Sequence, residues 1–460
     1  MDTKQSTINV LMLPWLAHGH ISPFLELAKN LSHRNFHIYL CSTPINLKSI
    51  KNRITEKYSH SIELVEIHLP SLPQLPPHHH TTNGLPTHLN STLLTAFDMA
   101  IPNVSNIFKT LSPDLVIYDI NQAWVPTIAS PFNIPVVQFM TTGTTVVSYS
   151  IHFIKNHGGV EFPFPEIKLR EFHEKQYHDT LLSAVNHPQN KQVAPVNVKP
   201  SCNILLFNTF RELEGKYIDY LSVINEKKVV PVGPLVQDIV DEIEQSEIMQ
   251  WLDKKGESST VFVSFGSEYF LSKHEIEEIA HGLELSKVNF IWVVRFPMGE
   301  KVELEEALPK GFLERVGERG MVVEGWAPQA RILTHSNTGG FVSHCGWNSI
   351  MESLKFGVPI IAMPMHLDQP LNARLVKDVG VAVEVNRDIN GKLNREDIAQ
   401  VIRKVVVSKS GKELRTKARD FSENIKMKGD EQMNEVVEEL MQLVNHSKIR
   451  ISNLLKCLGD

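Results

Sequence analysis

Side chains capable of binding and catalysis are concentrated in residues 326–369, which hold two Trp, three His and two carboxylates within 44 residues. The carboxylates are Glu352 and Asp368, and short apolar runs alternate with polar turns around them. Aromatic faces, imidazoles and carboxylates can stack on a flat ring, contact an anion and accept hydrogen bonds from hydroxyl groups. This segment therefore predicts a ligand site.

The centre of the segment suits a phosphate. Residues 339–343 are predicted to form a buried strand, and Asn348 and Ser349 to cap a helix over residues 350–356. The free N–H groups and the positive dipole at a helix N-terminus attract anions. We expect a phosphate there, beside the Ser349 hydroxyl and the His344 imidazole.

The flanks of the segment suit the other parts of a nucleotide sugar. Trp326 offers a flat face to a base, and Glu352, one turn into the predicted helix, can accept hydrogen bonds from a ribose. Asp368 and Gln369 follow the next apolar strand and can bind the hydroxyls of a sugar. Base, ribose, diphosphate and sugar together predict a nucleotide-sugar site.

A second group lies near the N-terminus. His20 follows the apolar run of residues 8–13, in a polar loop before a helix predicted to open at Ser22 and Pro23, and Asp119 directly follows the run of residues 115–118. Because the carboxyl ends of parallel strands meet at one sheet edge, we expect the two side chains to be close. A His held by a carboxylate can remove a proton from an attacking alcohol. His18 is the alternative base.

Strands alternate with helices in both halves of the chain, which predicts an α/β fold with doubly wound parallel sheets. The predicted strands of the first half are residues 8–13, 37–41, 62–67, 115–118, 136–139, 204–208 and 229–234. Those of the second half are residues 260–265, 290–294, 321–324, 339–343 and 359–363. Residues 91–111 are predicted to be helical, as are residues 395–407, 412–427 and 430–443.

At 460 residues the chain is long for one core, so we expect two domains. The first would span residues 1–236 and the second residues 249–440, joined by an acidic linker at residues 237–248. Residues 71–88 and 150–201 are expected to be long surface loops. The His78 to His80 triplet is interpreted as part of such a loop rather than a metal site, because no Cys or carboxylate is near it.

Composition excludes several classes of protein. The net charge of −6 argues against nucleic acid or an anionic membrane surface as a partner. Four widely spaced Cys indicate neither a disulfide framework nor a zinc site. The sequence shows no signal peptide and no 18-residue apolar span, so we expect a cytoplasmic protein without membrane insertion. It also lacks the GxGxxG of a dinucleotide-dependent dehydrogenase and the GxSxG of a serine hydrolase.

Residues 326–369 closely resemble the C-terminal signature of the plant UDP-glycosyltransferases that act on small secondary metabolites. The matching strings are WAPQ at the start, HCGWNS at the centre, then GVP, and DQ at the end. The resemblance covers nearly the whole chain through HxxP at residues 20–23, NTFRELE, VGPL, FVSFGS and FIWVVR. It implies a GT-B fold, in which two Rossmann-like domains face each other across a cleft and the last helix, about residues 441–460, packs back on the first domain.

The same resemblance implies roles for individual residues. His20 and Asp119 are the implied catalytic pair. The implied donor-binding residues are Ser267, Trp326, Ala327, Gln329, His344, Trp347, Asn348, Ser349, Glu352, Asp368 and Gln369. Thr141 is a further candidate contact to the donor sugar from its position alone, just past the predicted strand at residues 136–139 and on the same edge as His20. Candidate acceptor contacts, on loops of the first domain, are Trp15, Asn121, Gln122 and Thr142.

The expected reaction is an inverting transfer of glucose from UDP-glucose, with no metal, since the chain has no Asp-x-Asp motif. Trp347 and Gln369 resemble the version of the signature associated with UDP-glucose. FGSEYF, the loop at residues 76–82 and MHLDQPLNA resemble members that add a sugar to an existing glycoside of a terpenoid, flavonoid or lignan. Direct transfer to an aglycone, and an inactive nucleotide-sugar binder, are the alternatives. We expect the chain to act as a monomer.

Overall fold

The computed structural model describes residues 7–186, 204–238, 247–297 and 302–458. The chain divides into two compact units, the first made of residues 1–160, 183–235 and 428–460, and the second of residues 161–182 and 236–427. Compared with the expected domains, residues 161–182 join the second unit and residues 428–440 the first. The predicted linker at residues 237–248 lies largely outside the described residues.

The first unit contains a seven-stranded sheet whose neighbouring strands are all parallel, in the order β3-β2-β1-β4-β5-β6-β7. The strands are β1 (Ile8–Leu13), β2 (Phe36–Ser42), β3 (Ile62–Glu66), β4 (Leu115–Tyr118), β5 (Val136–Met140), β6 (Ile204–Phe207) and β7 (Lys228–Pro231). The helices in this part of the chain are α1 (His18–Ser32), α2 (Pro44–Ile50), α3 (Glu56–Ser59), α4 (Asn90–Met99), α5 (Ile101–Leu111), α6 (Val125–Ala129), α7 (Thr144–Lys155), α8 (Glu171–Asn186) and α9 (Arg211–Asn225).

The first sheet is buried on both faces, as its near-continuous apolar strands require. Along β1, Val10 and Met12 belong to one apolar cluster while Leu11 and Leu13 belong to another, and all four are fully buried. Helix α1 and the end of the last helix contribute to the first cluster, and α4 and α5 to the second. This packing fixes the carboxyl ends of β1 and β4, after which His20 and Asp119 follow.

The second unit contains a six-stranded parallel sheet in the order β10-β9-β8-β11-β12-β13. The strands are β8 (Thr260–Ser264), β9 (Asn289–Val294), β10 (Gly320–Glu324), β11 (Thr338–Ser343), β12 (Ile360–Ala362) and β13 (Ala382–Glu384). The helices that follow in the chain are α10 (Glu247–Asp253), α11 (Lys273–Ser286), α12 (Leu304–Ala307), α13 (Phe312–Val316), α14 (Gln329–Thr334), α15 (Trp347–Phe356), α16 (Gln369–Asp378), α17 (Arg395–Val406) and α18 (Lys409–Leu458).

Helices α11 and α17 cover one face of the second sheet and approach closely at Gly282, where a Cβ would collide with Ile398. The sheet's core includes the fully buried Trp292 and Phe290 of β9. Strand β11 is wholly buried and leads into the turn before α15. The second core thus holds the predicted phosphate site at the end of a central strand.

Several predicted elements differ from the observed ones. Helix α1 begins at His18, so His20 lies in its first turn rather than in a loop. Helix α15 begins at Trp347 with Gly346 as its N-cap, so Asn348 and Ser349 lie inside its first turn. The helix predicted over residues 91–111 is two helices, α4 and α5, which meet at Ala100, shortly before Pro102.

The two helices predicted over residues 412–427 and 430–443 are one helix, α18, which runs through Gly429. The expected loop at residues 150–201 includes the end of α7 and all of α8, and residues 187–203 are outside the described part. Among the described residues, no helix is long and apolar enough to cross a membrane.

Candidate active site

His20 and Asp119 are in direct contact in the first unit. His20 Nδ1 lies 2.8 Å from Asp119 Oδ2. The Asp119 side chain is fully buried, whereas that of His20 is 28% exposed. A carboxylate on Nδ1 favours the tautomer in which Nδ1 carries the proton, which leaves Nε2 as the basic nitrogen. The pair can therefore accept a proton from a bound hydroxyl group.

Backbone groups hold the Asp119 carboxylate in place. Its Oδ2 accepts a hydrogen bond from the Trp15 N–H at 3.0 Å, and its Oδ1 accepts one from the Ile120 N–H at 2.7 Å. These donors come from the loops after β1 and β4, which are neighbouring strands. Sheet pairing thus brings together groups that are about 100 residues apart in sequence and fixes the orientation of the His20 ring.

Thr141 also contacts the His20 ring. Its Oγ1 lies 3.0 Å from His20 Nδ1, and its side chain is buried just after β5. From the sequence, Thr141 is predicted to contact the donor sugar. In the structure its side chain contacts His20, the predicted base. The signal for this proximity is its position at the carboxyl end of β5, next to β4 in the sheet.

The four candidate acceptor residues differ in burial. Trp15 is buried, with its ring 5.9 Å from that of Phe97, and Gln122 is fully buried. Asn121 and Thr142 are half-buried. The last two residues are therefore the better placed to contact a ligand.

In the second unit, β11 and α15 form the predicted anion site. The N-terminus of the ten-residue helix α15 follows a tight turn in which Cys345 has φ of 65°. The imidazole of His344 fits between Gly266 and Gly346, and a Cβ at either glycine would collide with its Nε2. Glycine at both positions therefore leaves room for the ring beside the helix N-terminus.

Burial lowers the pKa of His344 to about 4, with a further contribution from His366. At neutral pH the ring is uncharged, because its pKa lies well below 7. His344 can therefore contact a phosphate as a neutral hydrogen-bonding group and not as a cation. The N-terminus of α15 supplies positive potential at this site. The other predicted phosphate contacts, Ser267 and Asn348, are half-buried.

The residues predicted to bind the base and the ribose are organised around Gln329. Its Nε2 donates to Glu352 Oε2 at 2.6 Å and lies 3.4 Å from Ser349 Oγ. Trp326 is 74% exposed, which leaves its ring available for stacking. Ala327 and Trp347, which are close in sequence to Trp326 and Ser349, are buried and support the backbone of this part of the site.

The predicted sugar contacts lie at the start of α16. Asp368 Oδ2 accepts a hydrogen bond from Asn372 Nδ2 at 2.9 Å, and the same amide donates to the Cys345 carbonyl at 3.1 Å. Gln369 is buried, and its Oε1 accepts hydrogen bonds from the backbone of residues 365 and 366. Asn372 was not among the predicted residues, although its position four residues after Asp368 on a helix was the available signal.

No group of three or more His, Cys, Asp or Glu side chains in the described parts of the chain is arranged to hold a metal ion. The His78 to His80 triplet accordingly forms no such group; His80 is buried, and its Nε2 lies 3.2 Å from the Leu75 carbonyl.

Two family models match the chain. The model described as "Glycosyltransferase, N-terminal domain" matches residues 6–237. The model described as "UDP-glucoronosyl and UDP-glucosyl transferase" matches residues 226–420. Together the matches include both sheets and all the candidate residues.

Characterised plant proteins are similar over nearly their full length. Mogroside IIIx synthase of Siraitia grosvenorii is 56% identical, with 96% of this chain and 95% of the relative covered. Beta-D-glucosyl crocetin beta-1,6-glucosyltransferase of Gardenia jasminoides is 53% identical, with 95% and 99% covered. Among solved structures, a Glycyrrhiza uralensis protein complexed with glycyrrhetinic acid 3-O-monoglucuronide has a TM-score of 0.80 at 25% identity, with 99% of both chains covered.

Proposed function

Because the chain belongs to the family of UDP-glucuronosyl and UDP-glucosyl transferases and has its GT-B fold, we propose that it transfers glucose from UDP-glucose to a sugar hydroxyl of a small-molecule glycoside. The proposed acceptor class rests on the similarity to the Gardenia enzyme, whose name gives its acceptor as a glucoside. Such an enzyme extends a sugar chain on a terpenoid, flavonoid or lignan glycoside.

The second unit binds the donor in this proposal. The exposed Trp326 ring stacks on uracil, and Glu352, oriented by Gln329, accepts hydrogen bonds from the ribose. The α15 N-terminus, with Ser349 and the neutral His344, contacts the diphosphate. Ser267 and Asn348 complete the phosphate contacts.

Asp368 and Gln369 bind the glucose hydroxyls. Since the Gln369 carbonyl oxygen already accepts two backbone hydrogen bonds, its amide nitrogen is the group left to donate to the sugar. The Asp368 carboxylate, oriented by Asn372, is the complementary acceptor. Donor and acceptor groups side by side can select the orientation of neighbouring sugar hydroxyls.

The first unit supplies the base and the acceptor contacts. His20 Nε2 takes the proton of the attacking hydroxyl while Asp119 stabilises the resulting imidazolium. The acceptor oxygen forms a bond to C1 of glucose as the bond from C1 to the diphosphate oxygen breaks, and UDP leaves with the bonding electrons. One in-line displacement inverts the configuration and gives a β-glycoside. No metal takes part in this mechanism.

Mass spectrometry on matched pairs of aglycone and monoglucoside, with UDP-glucose and EDTA, tests the proposal. We expect the gain of one hexose on the glucosides and none on the aglycones. NMR of the product then identifies the attacked hydroxyl. Glucosylation of the aglycones alone would assign the enzyme to the first transfer step. Loss of activity in EDTA that manganese restores would contradict the metal-free mechanism.

An inactive nucleotide-sugar binder is the second candidate, and the intact His20–Asp119 contact argues against it. Binding of UDP-glucose without hexose transfer to any acceptor would favour that candidate. We also propose that the enzyme is cytoplasmic, and that it acts as a monomer because one chain carries every residue assigned above. Sedimentation analysis at assay concentrations tests the monomer.

A further inference from the structure

The sugar-binding residues end a turn with an unfavourable backbone conformation. Residues 364–369, here called the sugar turn, connect β12 to α16. Leu367 within it has φ of 56°, a left-handed conformation that a branched L-residue rarely adopts. Its side chain is 55% exposed, so burial of the leucine does not explain the conformation. Contacts made by other residues must therefore hold the turn in this conformation.

One set of contacts is internal. The Gln369 Oε1 atom accepts hydrogen bonds from the Met365 N–H at 2.9 Å and the His366 N–H at 3.1 Å. The side chain assigned to glucose therefore closes the turn on itself. Any movement of residues 364–366 also moves the Gln369 amide.

The second set of contacts comes from Arg387, which follows β13. Its Nη2 donates to the Pro364 carbonyl at 2.9 Å, and its Nη1 donates to the Gly391 carbonyl at 2.8 Å. Arg387 thus connects the start of the sugar turn to the loop after β13. Because one planar guanidinium makes both bonds, it fixes direction as well as distance.

His366 of the sugar turn packs on Tyr269. The His366 ring lies 5.0 Å from the Tyr269 ring, and the Tyr269 hydroxyl donates to Glu275 Oε1 at 2.8 Å. The Tyr269 ring and the Arg387 guanidinium therefore contact the turn at residues 366 and 364, and neither of these residues carries a proposed sugar-binding side chain. Neither contact involves the side chain of Asp368 or Gln369.

We propose that Arg387 is a positioning residue that fixes the sugar turn and thereby sets the enzyme's discrimination between donor sugars. The inference rests on the proposed donor role of Asp368 and Gln369. Arg387 contacts the turn at Pro364 and acts on the sugar through the bonds from residues 365 and 366 to Gln369. A purely structural role would instead affect all ligands of the unit equally.

Equilibrium binding separates the two roles without requiring turnover. Calorimetric Kd values for UDP, UDP-glucose and UDP-galactose are compared between the wild type and Arg387→Gln. We expect the UDP Kd to change by less than about twofold, and the preference for UDP-glucose over UDP-galactose to fall by about tenfold, the effect of roughly one lost hydrogen bond to the sugar. Arg387→Lys keeps a single donor group. Its preference for UDP-glucose should therefore lie between those of the wild type and Arg387→Gln.

Two further variants serve as control and rescue. Arg395→Gln removes an arginine that pairs with Glu278 elsewhere in the same unit, and should leave sugar preference unchanged. Leu367→Asn places a residue that tolerates positive φ in the turn, and should restore part of the preference in Arg387→Gln.

An unchanged sugar preference in Arg387→Gln would overturn the inference. Parallel losses for UDP and both UDP-sugars would also overturn it, in favour of a structural role, as would a wild type that binds the two UDP-sugars equally. Failure of the proposed function has a different signature, namely the absence of hexose transfer by the wild type, and these Kd values do not depend on transfer.

Discussion

At the residue scale, catalysis is assigned to the His20 imidazole and its contact with Asp119 Oδ2. His20→Ala should lower kcat by about 10²–10⁴-fold, the usual contribution of a general base. Asp119→Asn should also lower kcat, because an amide does not stabilise the imidazolium as a carboxylate does. Steady-state kinetics with a glucoside acceptor provide the measurement. His18→Ala is the control, and a larger loss in that variant than in His20→Ala would move the base to His18.

The sequence predicted which of these side chains lie close together better than it predicted their individual contacts. The positions of His20 and Asp119 after β1 and β4 predicted their proximity, which the structure bears out at 2.8 Å. The contact between Thr141 and His20 depends on χ angles and on the path of the β5–α7 loop. Strand order alone does not determine such details. For the same reason the bonds from Arg387 to the sugar turn were not predicted.

At the element scale, helix α7 begins on a buried carboxylate. Glu214 Oε2 and Oε1 accept hydrogen bonds from the N–H groups of Thr144 and Thr145 at 2.9 and 2.7 Å, and Glu214 has no exposed surface. Because helix N-termini carry positive partial charge, the carboxylate stabilises the start of α7. The loop that ends there also carries Thr141, so this contact supports the position of the residue beside His20.

Glu214→Gln should lower the free energy of unfolding by about 1–3 kcal/mol, because an amide offers only one acceptor to the two N–H groups and lacks the charge. Urea unfolding followed by circular dichroism measures the change. Glu212→Gln is the matched control on the same helix, because its exposed ion pair with Lys428 should contribute much less to the free energy of unfolding. Equal changes in the free energy of unfolding for the two substitutions would contradict a specific stabilising role of the buried Glu214 carboxylate.

Element boundaries were predicted less well than element types. Most strands were located within one or two residues, because buried parallel strands are apolar throughout. Helix starts were misplaced where Pro or a polar residue suggested a cap, as at Pro23 in α1 and Ser349 in α15. In both helices the observed start is set by the turn that leaves the preceding strand, which is a tertiary feature.

At the scale of the whole molecule, each unit has a parallel sheet and apolar clusters of its own. The residues proposed to bind UDP all belong to the second unit. Ligand that binds only the folded state stabilises it, by about 2.7 kcal/mol at a concentration of 100 times Kd. For a unit of about 200 residues, the expected rise in Tm is about 5–10 °C. Differential scanning calorimetry with and without UDP measures the shift.

Two variants assign that shift to the donor site. His20→Ala should keep the full UDP-dependent rise in Tm, because the base belongs to the first unit and does not contact the nucleotide in the proposed mechanism. Glu352→Ala should lose most of the rise, since it removes the proposed ribose acceptor together with the partner of Gln329. The reverse result, with the rise lost in His20→Ala and kept in Glu352→Ala, would exchange the roles of the two units. Uridine should produce a smaller shift than UDP, because it lacks the diphosphate that the N-terminus of α15 is proposed to bind.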